Sequence, residues 1–168
     1  VEDLLELHGP ESKIIVWANI THVADASGAD TARHNMISMG QLLREKFGKD
    51  VFLVGTGSYR GEVLSAQVWG APVSKVEVPP PLDSSWEHAL HGMEPKDKIV
   101  IFDENPLWEE SRHQRDIGLV YMPGRDYLNY VPVKLSKSYD ALIFVDQTTA
   151  LRPLTNIEPE HEVLEERI

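Results

Sequence analysis

Apolar and polar positions alternate along the chain in two distinct rhythms. Lys13–Ala18 (K-I-I-V-W-A), Val51–Val54, Lys98–Phe102 and Ala141–Val145 are short, nearly continuous apolar runs. Runs of that length without alternation predict strands buried on both faces. Ile117–Tyr121 predicts a further strand. Val73–Val78 alternates (V-S-K-V-E-V) as a half-exposed or edge strand does, and Pro79, Pro80 and Pro81 close it, because proline cannot donate to a ladder.

The second rhythm is helical. Met39, Leu42, Leu43 and Phe47 share one face of a helix that Gly48 ends. Ser38 and Gln41 stand at capping-box spacing, and Ile37 and Leu42 at the positions of a hydrophobic staple. Ser84 and Glu87 open a second, shorter helix running to about His91, with Gly92 after it. Val1, Leu4, Leu5 and His8 fall at helical spacing before the stop signal Gly9-Pro10, so the chain is expected to begin inside or near the end of a helix. Asn19–Asn35 reads as a loop, Asn105–Arg115 as a loop or helical turn, and Glu158–Ile168 as a frayed helix. Gly55, Gly57 and Gly61 loosen the segment after the second strand.

Strand, helix and strand in succession make a βαβ unit, which predicts Lys13–Ala18 and Val51–Val54 as a parallel pair. The fold class expected is α/β: a mainly parallel sheet with flanking helices, forming an incomplete part of a larger α/β domain. The domain covers residues 1–156 and an acidic tail covers 157–168. Few helices for about six strands would leave one sheet face under-covered.

Composition narrows the function. Across 168 residues, 27 acids outweigh 16 Lys and Arg, giving a net charge of -11. That balance argues against nucleic acid, whose phosphates attract Lys and Arg, and against an anionic membrane surface. The absence of cysteine removes disulfides, thiolate metal sites and a Cys nucleophile. No apolar run approaches the roughly 20 residues that cross a bilayer. The opening residues carry acids where a secretion signal would carry Lys or Arg, so the expected location is cytoplasmic.

No G-x-S-x-G elbow, H-E-x-x-H motif or dinucleotide fingerprint is present, and no cofactor is expected. The end of the first apolar run, W-A-N-I-T-H-V, is the most informative place. Side chains just beyond parallel strands line ligand crevices. His22 stands there with Asn19 three residues before it. A histidine so placed can move protons near neutral pH, or can simply bond loop backbone. Asp25, Asp30 and His34 follow in a spacing that matches no metal motif, so no metal site is expected. Asp103, Glu104, Glu109 and Glu110 read as a solvated acidic loop.

The order of segments resembles the erythromycin esterase family. I-I-V-W-A-N-I-T-H-V is similar to that family's V-V-W-A-H-N-x-H-V stretch. M-G-Q-L-L-R-E-K-F-G, F-L-V-G-T-G-S-Y-R-G, W-G-A-P, V-P-P-P-L with S-S-W-E, R-D-I-G-L-V-Y and Y-D-A-L-I-F-V-D-Q-T-T-A-L-R-P-L follow in the family's order. The resemblance implies a hydrolase that opens macrolide lactones, or a relative acting on another small-molecule ester, with water activated by histidine. It assigns catalysis to His22 and substrate contact to Asn19 and Tyr59. It also implies a missing N-terminal half, since family members carry a G-E-x-x-H-G-type motif that does not occur here. The cleft would be completed by that half, or the exposed surface covered in a homodimer. The family's first histidine is replaced here by Asn19, and its next Asn by Ile20. Asparagine cannot accept and return a proton near neutral pH, so a non-catalytic homologue that binds a small molecule or serves as a structural domain is the alternative.

Overall fold

The computed structural model describes residues 1–9, 11–30 and 36–152. Its centre is a four-stranded sheet in the order β2-β1-β6-β3. β1 spans Val54–Ser65, β2 Ser74–Val78, β3 Lys98–Ile101 and β6 Ala141–Thr148. The fold is α/β with flanking helices, and the sheet is mixed. β1 and β6 run parallel, while β2 on β1 and β3 on β6 are antiparallel. A second, two-stranded antiparallel ribbon pairs β4 (Arg112–Arg115) with β5 (Tyr130–Val133).

β1 is longer than the sequence indicated and carries the glycines inside it. Gly55 and Gly57 face α4 (Trp86–His91) and the large side chains of β6. A Cβ at Gly55 would stand 2.9 Å from Leu142 Cδ1 and 3.1 Å from the Tyr139 ring, so these glycines make room for packing and do not break the strand. The core lies on this face: Trp86 and Leu90 of α4, Trp108, Val133, Leu135, Tyr139, Leu142 and Phe144. The Trp86 indole N–H donates to Val133 O at 2.8 Å, which ties α4 to the ribbon.

Among the described residues, no helix seals the opposite face. Side chains alternate across a strand, so Val54 of β1, Ile143 and Val145 of β6, and Ile99 and Ile101 of β3 all point away from α4. Ile99 and Ile101 are 69% and 70% exposed. The under-covered face expected from the sequence is therefore real, and it is apolar.

The predicted strand Lys13–Ala18 is the principal correction. It forms no ladder, and Ile15 and Trp17 are 92% and 95% exposed. Its apolar pattern records a segment suited to burial, but a strand also needs a paired neighbour, and no described strand lies beside it. The expected βαβ pair is thus replaced by the parallel pair β1–β6. Ile117–Tyr121 is likewise not a strand, contributing one isolated bridge from Val120 to Ala66. Strands β4 and β5 lie where polar or mixed sequence gave no alternating signal.

The helices lie close to where the sequence pattern places them. α1 spans Glu2–His8 and stops at Gly9, whose φ is 93°. α3 spans Met39–Phe47, capped by Ser38 and ended by Gly48. The capping box is half formed: Ser38 Oγ accepts from Gln41 N at 3.1 Å, but the Gln41 side chain donates to Glu45. Ile37 and Leu42 are both exposed, so no staple is buried there. α4 is capped by Ser85, one residue later than expected. Ser84 Oγ instead lies 3.1 Å from His113 Nδ1. The tail 157–168 and His34 lie outside the described residues.

Candidate functional site

His22 lies on α2 (Ile20–Val23), a single helical turn inside the segment expected to be a loop. Asn19 makes that turn possible. Its Oδ1 accepts from Thr21 N at 2.9 Å and from Thr21 Oγ1 at 2.8 Å, the N-cap arrangement. Ser38 holds the other end: its hydroxyl donates to Ala24 O at 2.5 Å and accepts from Ala26 N at 3.2 Å while capping α3. Gly40 completes the seat, since a Cβ there would collide with the carbonyls of Val23 and Ala24. α5 (Leu135–Ser138) closes the far side, where Asp25 N donates to Ser138 O at 2.9 Å.

A cavity of about 370 Å3 opens beside this turn. Ile20, Ala24, Ala29, Val131 and Val133 give it apolar walls. His22, Gln114, Asp116, Ser138 and Tyr139 bring polar atoms to it. An apolar pocket with a few convergent polar groups is the usual form of a small-molecule site. His22 is exposed, Gln114 is buried, and the Tyr139 hydroxyl donates to Gln114 Oε1 at 3.1 Å. Burial pushes the Tyr139 hydroxyl well above its ordinary range and pushes the Asp116 carboxyl up. For Asp116 the hydrogen bond from Asn19 and the nearness of His22 pull the other way. Asp116 Oδ1 and Ser138 Oγ are buried without a hydrogen-bond partner.

The residues named from sequence divide. His22 lines the cavity. Asn19 adjoins it, but its amide is engaged: besides capping α2, it donates to Ile117 O at 3.4 Å. Its hydrogen bonds fix the helix that carries His22. Tyr59 is elsewhere. Its ring stacks on His91 at 3.7 Å and 7°, with His91 Nδ1 2.5 Å from Asp146 Oδ1. Tyr59 touches the site only through its backbone, whose carbonyl accepts from Arg115 at 3.2 Å. Asp25 caps a 3-10 turn at Ala26–Gly28. Among the described residues no three His, Asp or Glu side chains gather as a metal site would require.

Sequence reasoning missed Asp116, Gln114 and Ser138. Each sits outside any patterned run, and only the pairing of β4 with β5 and the turn of α5 bring them to His22. It also missed Glu87. This glutamate is buried on α4, accepts from Arg115 N at 2.9 Å through Oε1, and leaves Oε2 without a partner. Burial pushes its carboxyl up to about 7.

A second, larger cleft of about 1100 Å3 lies over the bare side of the sheet, between Lys13–Ala18, α3 and residues 51–54. Its ionisable side chains, Glu6, Lys13 and Asp50, are all exposed. It holds no histidine, whereas His22 and Asp116 both line the smaller cavity, which is therefore the candidate site despite the difference in size.

Among the described residues, no helix is long and apolar enough to cross a membrane. The family model for erythromycin esterase matches residues 1–148. Three solved structures share the fold. A succinoglycan biosynthesis protein is 18% identical with a TM-score of 0.64, over 80% of this chain and 33% of its own. A Bacillus cereus protein is 19% identical with a TM-score of 0.65, over 88% and 36%. A histidine-to-asparagine mutant of the erythromycin esterase EreC, in its open conformation, is 16% identical with a TM-score of 0.55, over 87% and 34%. The chain thus spans about a third of the length of the structures it matches.

Proposed function

The chain belongs to the erythromycin esterase family, and from that premise we propose that it is the portion of an ester- or lactone-opening hydrolase that supplies His22 to the reaction. The observation that carries the reading is the cavity beside α2, where an exposed imidazole borders a mostly apolar space. His22 would accept a proton from water as that water attacks the ester carbonyl, and return it to the leaving alkoxide. The apolar walls suit a neutral small molecule, and the charge of -11 disfavours an anionic one.

His22 is the one imidazole at the cavity among the described residues, and a second proton-transfer group is expected from the rest of such a fold. Ester hydrolysis also requires donors for the developing oxyanion. Gln114 Nε2 and the Ser138 hydroxyl are the neutral donors at the cavity, and Arg115 turns its guanidinium to the carbonyls of Pro79 and Tyr59. The bare apolar face and the large cleft support completion by a further polypeptide of the kind that makes up the other two thirds of the matched folds. A homodimer burying the same face is the competing arrangement.

A second reading, a homologue that binds but does not catalyse, is favoured by Asn19. Its amide is occupied by capping and cannot transfer a proton.

The test is erythromycin incubated with the purified chain and followed by a mass gain of one water, with His22→Ala beside it. No turnover above background is expected, because each missing acid/base role typically forfeits about 10²–10⁴ in rate. Turnover that His22→Ala abolishes would contradict the incomplete site while keeping His22 in the mechanism. Turnover that survives the substitution would remove His22 from it.

A further inference from the structure

Asp116 is a polar group at the His22 cavity whose place is unexplained by the fold. Its backbone does structural work, donating to Asn129 O at 2.7 Å just beyond β4. Its side chain is different. Oδ1 is buried with no partner, a condition that costs free energy unless a ligand, a water or a moving side chain meets it. The nearest cation of the ribbon, Arg115, is committed elsewhere: to Pro79 O at 2.8 Å, to Tyr59 O at 3.2 Å and to Asp126 at 3.8 Å. Gln114 is held by Tyr139. Among the described residues, the remaining group on the cavity wall that can carry positive charge is His22. Asn19 links the two, since its side chain caps the helix of His22 and donates to the carbonyl of Ile117, the residue next to Asp116, at 3.4 Å.

We propose that Asp116 is the positioning residue of His22, its carboxylate receiving an imidazole N–H, directly or through one water, and so fixing the tautomer that faces the cavity. The inference rests on reading His22 as the acid/base group and names the residue that prepares it. A carboxylate behind a histidine sets which ring nitrogen is protonated and stabilises the imidazolium formed when the other takes a proton. Asn19 then acts as the strut that holds α2 against the ribbon at the distance this pairing needs. This gives a use to the asparagine that replaces a histidine of the family pattern.

The experiment is ring ¹⁵N NMR of His22 in the whole chain, with the resonances assigned by their loss in His22→Gln. In the wild type one neutral tautomer is expected to dominate. Asp116→Asn is expected to shift the ring nitrogens toward the mixture of a free imidazole, and Asp116→Glu to recover part of the wild-type pattern. Ring shifts unchanged in a folded Asp116→Asn variant would overturn the proposal and leave Asp116 structural. Should that variant fail to fold, His22→Gln supplies the reverse measurement: the Asp116 carboxyl ¹³C titration is expected to move upward once the positive neighbour is gone. No movement would overturn the pairing equally. The parent reading fails separately, through turnover that persists in His22→Ala whatever the ring shifts show.

Discussion

The two faces of the central sheet are built from the same strands and have opposite fates. On one, Leu142 and Phe144 are sealed beneath Trp86 and Leu90 of α4. On the other, Ile143 and Val145 look onto the cleft or solvent, with Ile99 and Ile101 beside them. Neighbours in sequence thus differ completely in environment. The sealed face holds the core, and the other face leaves apolar side chains exposed. The candidate cavity stands at the margin of the sealed side, where α2 and the β4–β5 ribbon meet.

The largest effect should come from the sealed face. Trp86→Ala removes a fully buried indole and its hydrogen bond to Val133 O, and a loss of about 3–5 kcal/mol is expected in denaturant unfolding. A loss under about 1 kcal/mol would show that the core lies elsewhere.

The next effect is pH-dependent and also belongs to the sealed face. The carboxyl of Glu87 is raised from 4.5 to about 7, so its ionisation opposes folding. Stability from this group is highest below about pH 4.5, falls as pH rises through the interval to 7, and stays low above it. Glu87→Gln keeps the Oε1 acceptor and should therefore stabilise the chain at pH 8, by on the order of 2 kcal/mol, while changing little at pH 4.5. Equal effects at both pH values in parallel melts would mean that Glu87 ionises freely.

Ser38→Ala probes the seat of the cavity. It removes the cap of α3 and the bonds to Ala24 and Ala26, and about 1–2 kcal/mol of stability is expected to go with them. Amide exchange should quicken first around α2. The smallest change belongs to the bare face: Ile101→Lys should alter stability by no more than about 0.5 kcal/mol and reduce binding of a hydrophobic dye. A loss comparable with that of Trp86→Ala would mean the face is covered in solution.

Legibility from sequence followed the same division. Ala141–Val145 and Lys98–Phe102 were visible as short apolar runs, and the observed strands begin at the same residues, but burial on both faces did not follow: Ile99, Ile101, Ile143 and Val145 are exposed. Met39–Phe47 was visible because Ser38 and Gly48 are local signals that need no distant partner. Lys13–Ala18 carried the same apolar mark and is not a strand, because pairing depends on a neighbour that the run itself cannot encode. Asn19 and His22 were singled out by their place after the apolar run Lys13–Ala18 and then by the family pattern, but their places were not separable until the N-cap geometry was seen. Asp116 stood in the quoted R-D-I-G-L-V-Y segment and Gln114 two residues before it, but neither was marked for the site, since long-range pairing of β4 with β5 brings them to the cavity.

The central claim is that a small neutral ligand meets this chain beside His22 and not on the bare face. Amide and methyl NMR during a titration with erythromycin tests it most directly. Shifts are expected at Ile20, His22, Gln114 and Val133, reduced in His22→Ala. Shifts confined to Ile99, Ile143 and Val54, with the cavity residues unmoved, would contradict it.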